Sequence, residues 1–349
     1  MSDTSELGVL YTEHSGLRVG TCLGSLWSYE THRRGRNRRR VAQNPDGSYE
    51  YWLGRSDPLL NTIVPGVGVS LVINFGDVWA AGRSLATSGL VPRVSVVGPV
   101  TQARILRVGQ SVRAIGMGVQ PTLTQDLFGV PASELVDRIV PLEDLWARDE
   151  VERLFDSLSC MEIGRCLSAL RDELLKRIGQ PRGRETVEQK ASELITLQSG
   201  RVSVEHLARS HGLSRREFAR RFCATVGLRP KLFARITRFQ ALVHALLSTD
   251  VSQWASMSPE VGYYDQAHMI NEFRAFAGAS PTVFFTPQGD DINPLMVQRR
   301  GRPSEWVWPP SVGADGKRSS PHVSTPGGDP TRSSKATTAS SDFRASPIG

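Results

Sequence analysis

Apolar positions in this chain follow two rhythms. Before residue 145 they come as short β-branched runs at 69–73 and 93–97, then as a second pair at 102–108 and 111–119 split at 109–110. Short strands between Gly- and Pro-rich turns predict a barrel or sandwich, and the break at 109–110 predicts a hairpin. From about residue 149 the spacing changes. Val151, Leu154, Phe155 and Leu158, then Leu167, Leu170, Leu174 and Ile178, recur as on one face of a helix. The apolar face at 167–178 has two uses open to it: packing on the strands, or pairing two copies of the chain. Residues 179–183 predict a linker, and 184–288 read as helical throughout. After Pro287 the composition turns to Ser, Thr, Pro and Gly, which cannot bury a core. The expected organisation is an α+β chain of two domains and a tail. A β-rich region with helices from about 149 fills 1–182, an all-α domain fills 183–288, and 289–349 is disordered. A Trp- and Pro-rich patch at 306–310 is the tail's one apolar feature.

The helical part contains a repeat. Ser214 is followed by Phe218, Phe222, Gly227 and Pro230, and Asp265 by Met269, Phe273, Gly278 and Pro281. The offsets agree at +4, +8, +13 and +16, and the copies lie 51 residues apart. Ser and Asp are helix N-cap residues, +4 and +8 share one helix face, and Gly then Pro close one helix and open the next. Upstream of each cap, residues 204–212 and 251–262 read as a short helix ending at a glycine turn. Small Ala208 allows close helix approach, whereas Pro259 falls inside the expected helix of the second copy, where it would kink it. Helix, glycine turn, second helix is the layout of a DNA-binding helix-turn-helix. Two in register, joined by a long apolar helix at 231–247, form a much more specific pattern than one.

On these residues the sequence resembles the AraC/XylS family of transcription regulators. Residues 262–281 are similar to the signature of that family's second helix-turn-helix unit. Ser258 stands where the family generally has Ala, and Asn271 where it often has a basic residue. Residues 60–160, including the segment 141–146, more loosely resemble the sensor half found in many members. The resemblance implies a cupin-like β-barrel sensor domain joined to a double helix-turn-helix. It also implies double-stranded promoter DNA and RNA polymerase as partners, a small-molecule effector of unknown identity, and a cytoplasmic location; a homodimer stays open.

Charge sharpens this picture. The chain carries +7 in all, but residues 1–180 are neutral. Residues 201–238 hold ten Lys and Arg against Glu205 and Glu217, for +8, while 239–288 carry −3. With the N-cap at zero and about 100° per residue, +4 and +8 face the core, and +2, +6 and +9 face away with +1 and +5 at the edges. The outward set is Arg215, Arg216, Ala219, Arg220 and Cys223 in the first unit, and Gln266, Ala267, Ile270, Asn271 and Arg274 in the second. The family's base-contacting positions fall near +1, +2, +5 and +6. The expected DNA-binding residues are therefore Arg215, Arg216, Ala219, Arg220, Gln266, Ala267 and Asn271. His268, at +3, either reaches DNA or caps its own helix. Arg reads guanine bidentately, and Asn or Gln reads adenine. Arg209, Arg221, Arg229, Lys231, Arg235 and Arg238 are expected to position phosphates, which sets register without reading sequence.

The remaining chemistry is sparse. The four cysteines form no CxxC, and before residue 200 the only histidines are His14 and His32, so neither a metal site nor a cofactor is expected. No P-loop, GxGxxG followed by a helix, or Ser/His/Asp elbow is present, which argues against the rival reading of an enzyme or ligand-binding barrel that merely carries a helix-turn-helix. No run reaches the ~20 apolar residues of a membrane helix. The basic run 33–40 lacks interleaved aromatics and reads as a solvated loop, and Trp27, Trp52 and Trp79 read as core ahead of a ligand pocket.

Overall fold

The four expected runs form β6, β9, β10 and β11 of twelve strands among the described residues: β1 Glu6–His14, β2 Leu23–Arg34, β3 Val41–Gln43, β4 Tyr49–Trp52, β5 Leu59–Ile63, β6 Val69–Asn74, β7 Trp79–Gly82, β8 Gly89–Val91, β9 Val94–Val97, β10 Arg104–Val108, β11 Arg113–Val119 and β12 Ile139–Pro141. This computed structural model describes residues 6–14, 23–34, 41–43, 49–52, 59–109, 111–179, 186–248, 254, 258–259 and 261–285. Outside the described residues lie 35–40 of the basic run, 180–183 of the expected linker, most of the expected helix at 251–262, and the tail with its 306–310 patch. All paired strands are antiparallel and form two sheets, one of eight strands in the order β12-β9-β6-β11-β2-β1-β4-β3 and one of four in the order β5-β10-β7-β8. No ladder among the described residues joins the two sheets into a closed barrel.

The hairpin expected at 109–110 does not form. β10 pairs with β5 and β7, whereas β11 pairs with β2 and β6 of the other sheet. The connection is instead tied to the turn at Asp77. Ser111 donates its N–H to the Asp77 carboxylate at 2.8 Å, and Asp77 donates its own to Ser111 O at 2.8 Å. Gly109 lies so close that a Cβ there would sit 2.4 Å from the Asp77 Cβ.

Between the strands and the C-terminal helices run α1 Thr124–Phe128, α2 Ala132–Leu135, α3 Arg148–Ser159 and α4 Ile163–Ile178. The apolar face of α4 is taken up inside the chain. Leu167, Leu170 and Leu174 are fully buried in one cluster with Leu71, Ile115 and Met117 from the large sheet. Arg113 on β11 staples the α3–α4 turn by donating to Ser159 O at 2.7 Å and Met161 O at 2.5 Å. Trp79, packed edge-on against Tyr29, belongs to a second apolar cluster with Val72, Leu106 and Ala114, and Trp27 packs against it. The side chain of Trp52 lies outside the described residues.

The C-terminal helices are α5 Val187–Leu197, α6 Val204–Ser210, α7 Arg215–Val226, α8 Pro230–Ser248, α9 Gln266–Ala277 and α10 Pro281–Phe285. Their core is a separate cluster, with Phe218, Phe222, Phe239 and Phe273 fully buried. The β region and these helices belong to one compact unit, Met1–Pro310. No helix among the described residues is long and apolar enough to cross a membrane.

Candidate nucleic-acid interface

Helices α7 and α9 start and stop as the repeat predicts. The Ser214 side chain accepts the Glu217 N–H at 3.1 Å, and Asp265 accepts that of His268 at 2.7 Å. Each oxygen satisfies one of the four N–H groups that a helix start leaves unpaired. Gly227 and Gly278 close the helices with φ of 87° and 80°, where an L side chain is strained. Helix α6 precedes α7 through a turn at Gly212, and Gly262 turns into α9 with φ of 81°. Pro259 is a turn residue. It sits in the turn itself, where its carbonyl accepts the Gly262 N–H at 3.1 Å.

The inward faces are Phe218 and Phe222 on α7, and Met269 and Phe273 on α9, all buried. Outward, Arg215, Arg216 and Arg220 are exposed and Ala219 and Cys223 half-buried; Gln266, Ala267, Asn271 and Arg274 are exposed and Ile270 half-buried. The two helices thus present corresponding register positions to solvent, with three guanidinium groups on α7, and two amides and the Arg274 guanidinium on α9. His268 is exposed but turned back on its own turn: its ring packs edge-on against Tyr263, and its Nδ1 lies 3.5 Å from the Tyr264 N–H.

Residues 207–286 match a family described as a helix-turn-helix domain. The chain carries an AraC-type DNA-binding domain. No curated protein matches the chain. Among solved structures, ToxT from Vibrio cholerae is similar at 8% identity and a TM-score of 0.39, covering 66% of this chain and 94% of its own. A second ToxT structure, with an unsaturated fatty acid bound, gives 9% identity and 0.35 over 66% of this chain and 95% of that one. The AraC-like transcriptional activator CuxR gives 13% and 0.26 over 73% of this chain and 88% of its own. At these scores the likeness assigns no role to any residue here.

Within the AraC-type domain the six expected phosphate cations fall into two groups. Arg209, Arg229 and Lys231 are exposed, Arg209 in a loose 3.4 Å pair with Glu205. The other three hold the domain together. Arg221 donates to Glu188 of α5 at 2.8 Å, and that carboxylate side chain is only 5% exposed. Arg235 of α8 grips Glu272 of α9 through Nε at 2.9 Å and Nη2 at 2.5 Å, and lies over the Phe276 ring. Arg238 donates to Gly200 O at 2.8 Å beside the Tyr263 ring. Their partners, two carboxylates and one backbone carbonyl, lie 33 to 38 residues away in sequence, so counting local charge could not find them.

Two further features bear on the interface. Arg220 is held on its own helix by Glu217, with Nε at 3.0 Å and Nη2 at 2.7 Å from its carboxylate oxygens. That hydrogen bond holds the Glu217 carboxyl below its usual range and firms the proton on Arg220. Tyr264, immediately before the α9 cap, is 90% exposed, while its neighbour Tyr263 is buried. The GlyTyrTyr at 262–264 gave no way to tell which ring points outward, because the left-handed turn at Gly262 decides it.

Proposed function

We propose that this chain reads specific promoter sequences with α7 and α9 lying in successive major grooves, and that its N-terminal β region, a cupin-like sensor, biases that engagement in response to a small molecule or partner. The observation that carries the reading is the paired presentation of Arg215, Arg216 and Arg220 on one capped helix and Gln266 and Asn271 on the other, at matching positions outward of matching buried faces. Arg216 and Arg220 suit guanine, Gln266 and Asn271 suit adenine, and Ala219 and Ala267 suit contact with a thymine methyl. Arg209, Arg229 and Lys231 are free to meet phosphates, and Arg221, Arg235 and Arg238 offer theirs only through the N–H groups not already committed inside the domain. Such a protein acts in the cytoplasm with RNA polymerase.

The test is selection of duplexes from a randomised library by the full chain, followed by affinity measurements across a salt series. Enrichment of a two-part site is expected, with affinity falling by about three orders of magnitude or more between 50 and 200 mM salt, as counterions are released from several phosphates. Retention of all duplexes with equal affinity would reduce the protein to a non-specific DNA coater.

A further inference from the structure

The carbonyls of the last turn of α9 need donors from outside the helix. One comes from the β region: Ala103, just before β10, donates its N–H to Phe276 O at 2.9 Å. The end of α7 also touches the β region. Its capping Gly227 abuts the first turn of α2 so closely that a Cβ would lie 2.8 Å from the Ala132 carbonyl. The N-terminal part of the chain therefore meets the C-terminal end of both recognition helices.

These two contacts are joined through Asp137. Its φ is 57°, a left-handed conformation that Asp tolerates better than most residues. From there the carboxylate accepts the Thr101 N–H at 2.9 Å and the Thr101 hydroxyl at 2.5 Å. Arg104 donates to the Asp137 carbonyl and lies 3.5 Å from its carboxylate. Asp137 N–H bonds Pro99 O at 2.7 Å, and Gly98 N–H bonds Arg138 O at 3.0 Å. Segment 98–104, which carries Ala103, is thus zipped to the segment that continues from α2. The route from α7 through Ala132, Asp137, Thr101 and Ala103 to α9 is continuous and uses no residue of α8, which packs on α7 through Phe222 and Phe233 and on α9 through Arg235 and Glu272.

We infer that Asp137 is a positioning residue for DNA recognition: the bridge it organises fixes the separation of α7 and α9, and so the spacing of the two half-sites the protein accepts. This rests on the DNA-reading role proposed above, but its first test does not require DNA. Without the bridge, α7 and α9 are held to each other through α8, by the shared aromatic core, the Arg235–Glu272 ion pair and the short turn into Pro230. With the bridge in place the two helices belong to a closed ring of contacts.

The experiment uses the full chain with Cys22, Cys160 and Cys223 replaced by serine and spin labels at the exposed positions Ala224 on α7 and Arg274 on α9. Pulsed dipolar spectroscopy should give a narrow distance distribution. Asp137→Gly, which suits the backbone and removes only the carboxylate, should broaden it, and Asp137→Asn, which keeps an acceptor for Thr101, should restore it. Ala103→Pro deletes the donor to Phe276 at the other end of the bridge and should broaden it without touching Asp137, which keeps the question open to decision if Asp137→Gly does not fold. Folded Asp137→Gly and Ala103→Pro chains as narrow as the parent would overturn the inference. In library selection with unlabelled protein, the broadened variants should recover the parent's half-sites at spacings spread over several base pairs. Unaltered spacing overturns the positioning role. Failure of the parent itself to enrich any duplex, with the distances still broadened, would sink the DNA-reading role and leave the bridge standing.

Discussion

Arg220 faces away from the α7 core, yet both of its outer nitrogen contacts are with Glu217, one turn back on the same helix. In the DNA-reading role proposed above, Glu217 is an internal competitor that DNA has to displace from Arg220. Glu217→Gln should free Arg220 and remove a negative charge from the phosphate-facing side. A few-fold gain in affinity for all duplexes is expected, with a smaller ratio between specific and random DNA, measured by titration at fixed salt.

The same pair has a defined pH behaviour. Because Arg220 depresses the Glu217 carboxyl, the pair is complete above the ordinary carboxylate pKa of about 4.3 and is lost as pH falls through the lower folded value. Between about pH 6 and pH 8 it contributes no pH dependence to DNA affinity. A DNA affinity that varied across that range in the parent but not in Glu217→Gln would contradict this.

The two recognition helices should be unequal. Arg216→Ala with Arg220→Ala removes two charges and the two guanine readers proposed above, and should lower specific affinity by a hundredfold or more at about 1–3 kcal/mol per reader. Gln266→Ala with Asn271→Ala removes no charge and should relax base preference over half the site while leaving most of the affinity. Pro259 gives no reason for the asymmetry, because it lies in the turn. The local charge split between 201–238 and 239–288 supplies it, even though Glu272 is already neutralised by Arg235. Equal losses from the two double variants at one salt concentration would refute the asymmetry.

Arg221 looks like one more surface cation in the sequence, but its removal should be felt as lost stability. It would leave the buried Glu188 carboxylate with no cation partner among the described residues. Arg221→Ala should destabilise the helical part by about 2 kcal/mol, less than the ~3–5 kcal/mol of a fully buried pair because Arg221 itself is 39% exposed. Adding Glu188→Gln should recover part of the loss. Chemical denaturation of the three chains checks both statements.

Tyr263 offers an opposite case. Its hydroxyl is buried with no hydrogen-bond partner among the described residues, and burial, then the Glu272 charge, pushes its ionisation far above the usual range. Tyr263→Phe should therefore raise stability by up to about 1 kcal/mol. A phenol with a raised folded pKa contributes stability that is complete below the unfolded value of about 10 and fades as pH climbs above it. The Phe chain should lose less stability than the parent in that alkaline range, as read from thermal transitions.

What the sequence made legible was local and periodic. Ser214 and Asp265 as caps, Phe218 and Phe273 as core, and Gly227 and Gly278 as helix ends all follow from spacing within one helix. Long-range partnership was not legible. Arg221, Arg235 and Arg238 counted as free cations because Glu188, Glu272 and the Gly200 carbonyl lie a whole helix or more away. The strands at 104–108 and 113–119 looked like a hairpin because a short Gly-containing break joins them, while the pairing was decided by other strands and by the Asp77 turn. The bridge at Asp137 joins three such distant segments, and no periodicity marks it.

The two capping glycines invite the same annotation and face different futures under mutation. Around Gly278 a Cβ would meet nothing within 4 Å, so a side chain there is opposed only by its left-handed φ, at about 1 kcal/mol. Asn, which visits that conformation readily, is an accessible replacement. At Gly227 the same φ is joined by the Ala132 backbone, which no rotamer can avoid. Drift at residue 278 stays local, whereas any change at 227 must move the β region away from α7. A lineage could thus rewrite the end of α9 freely while the end of α7 stays fixed by a segment nearly a hundred residues earlier in the chain.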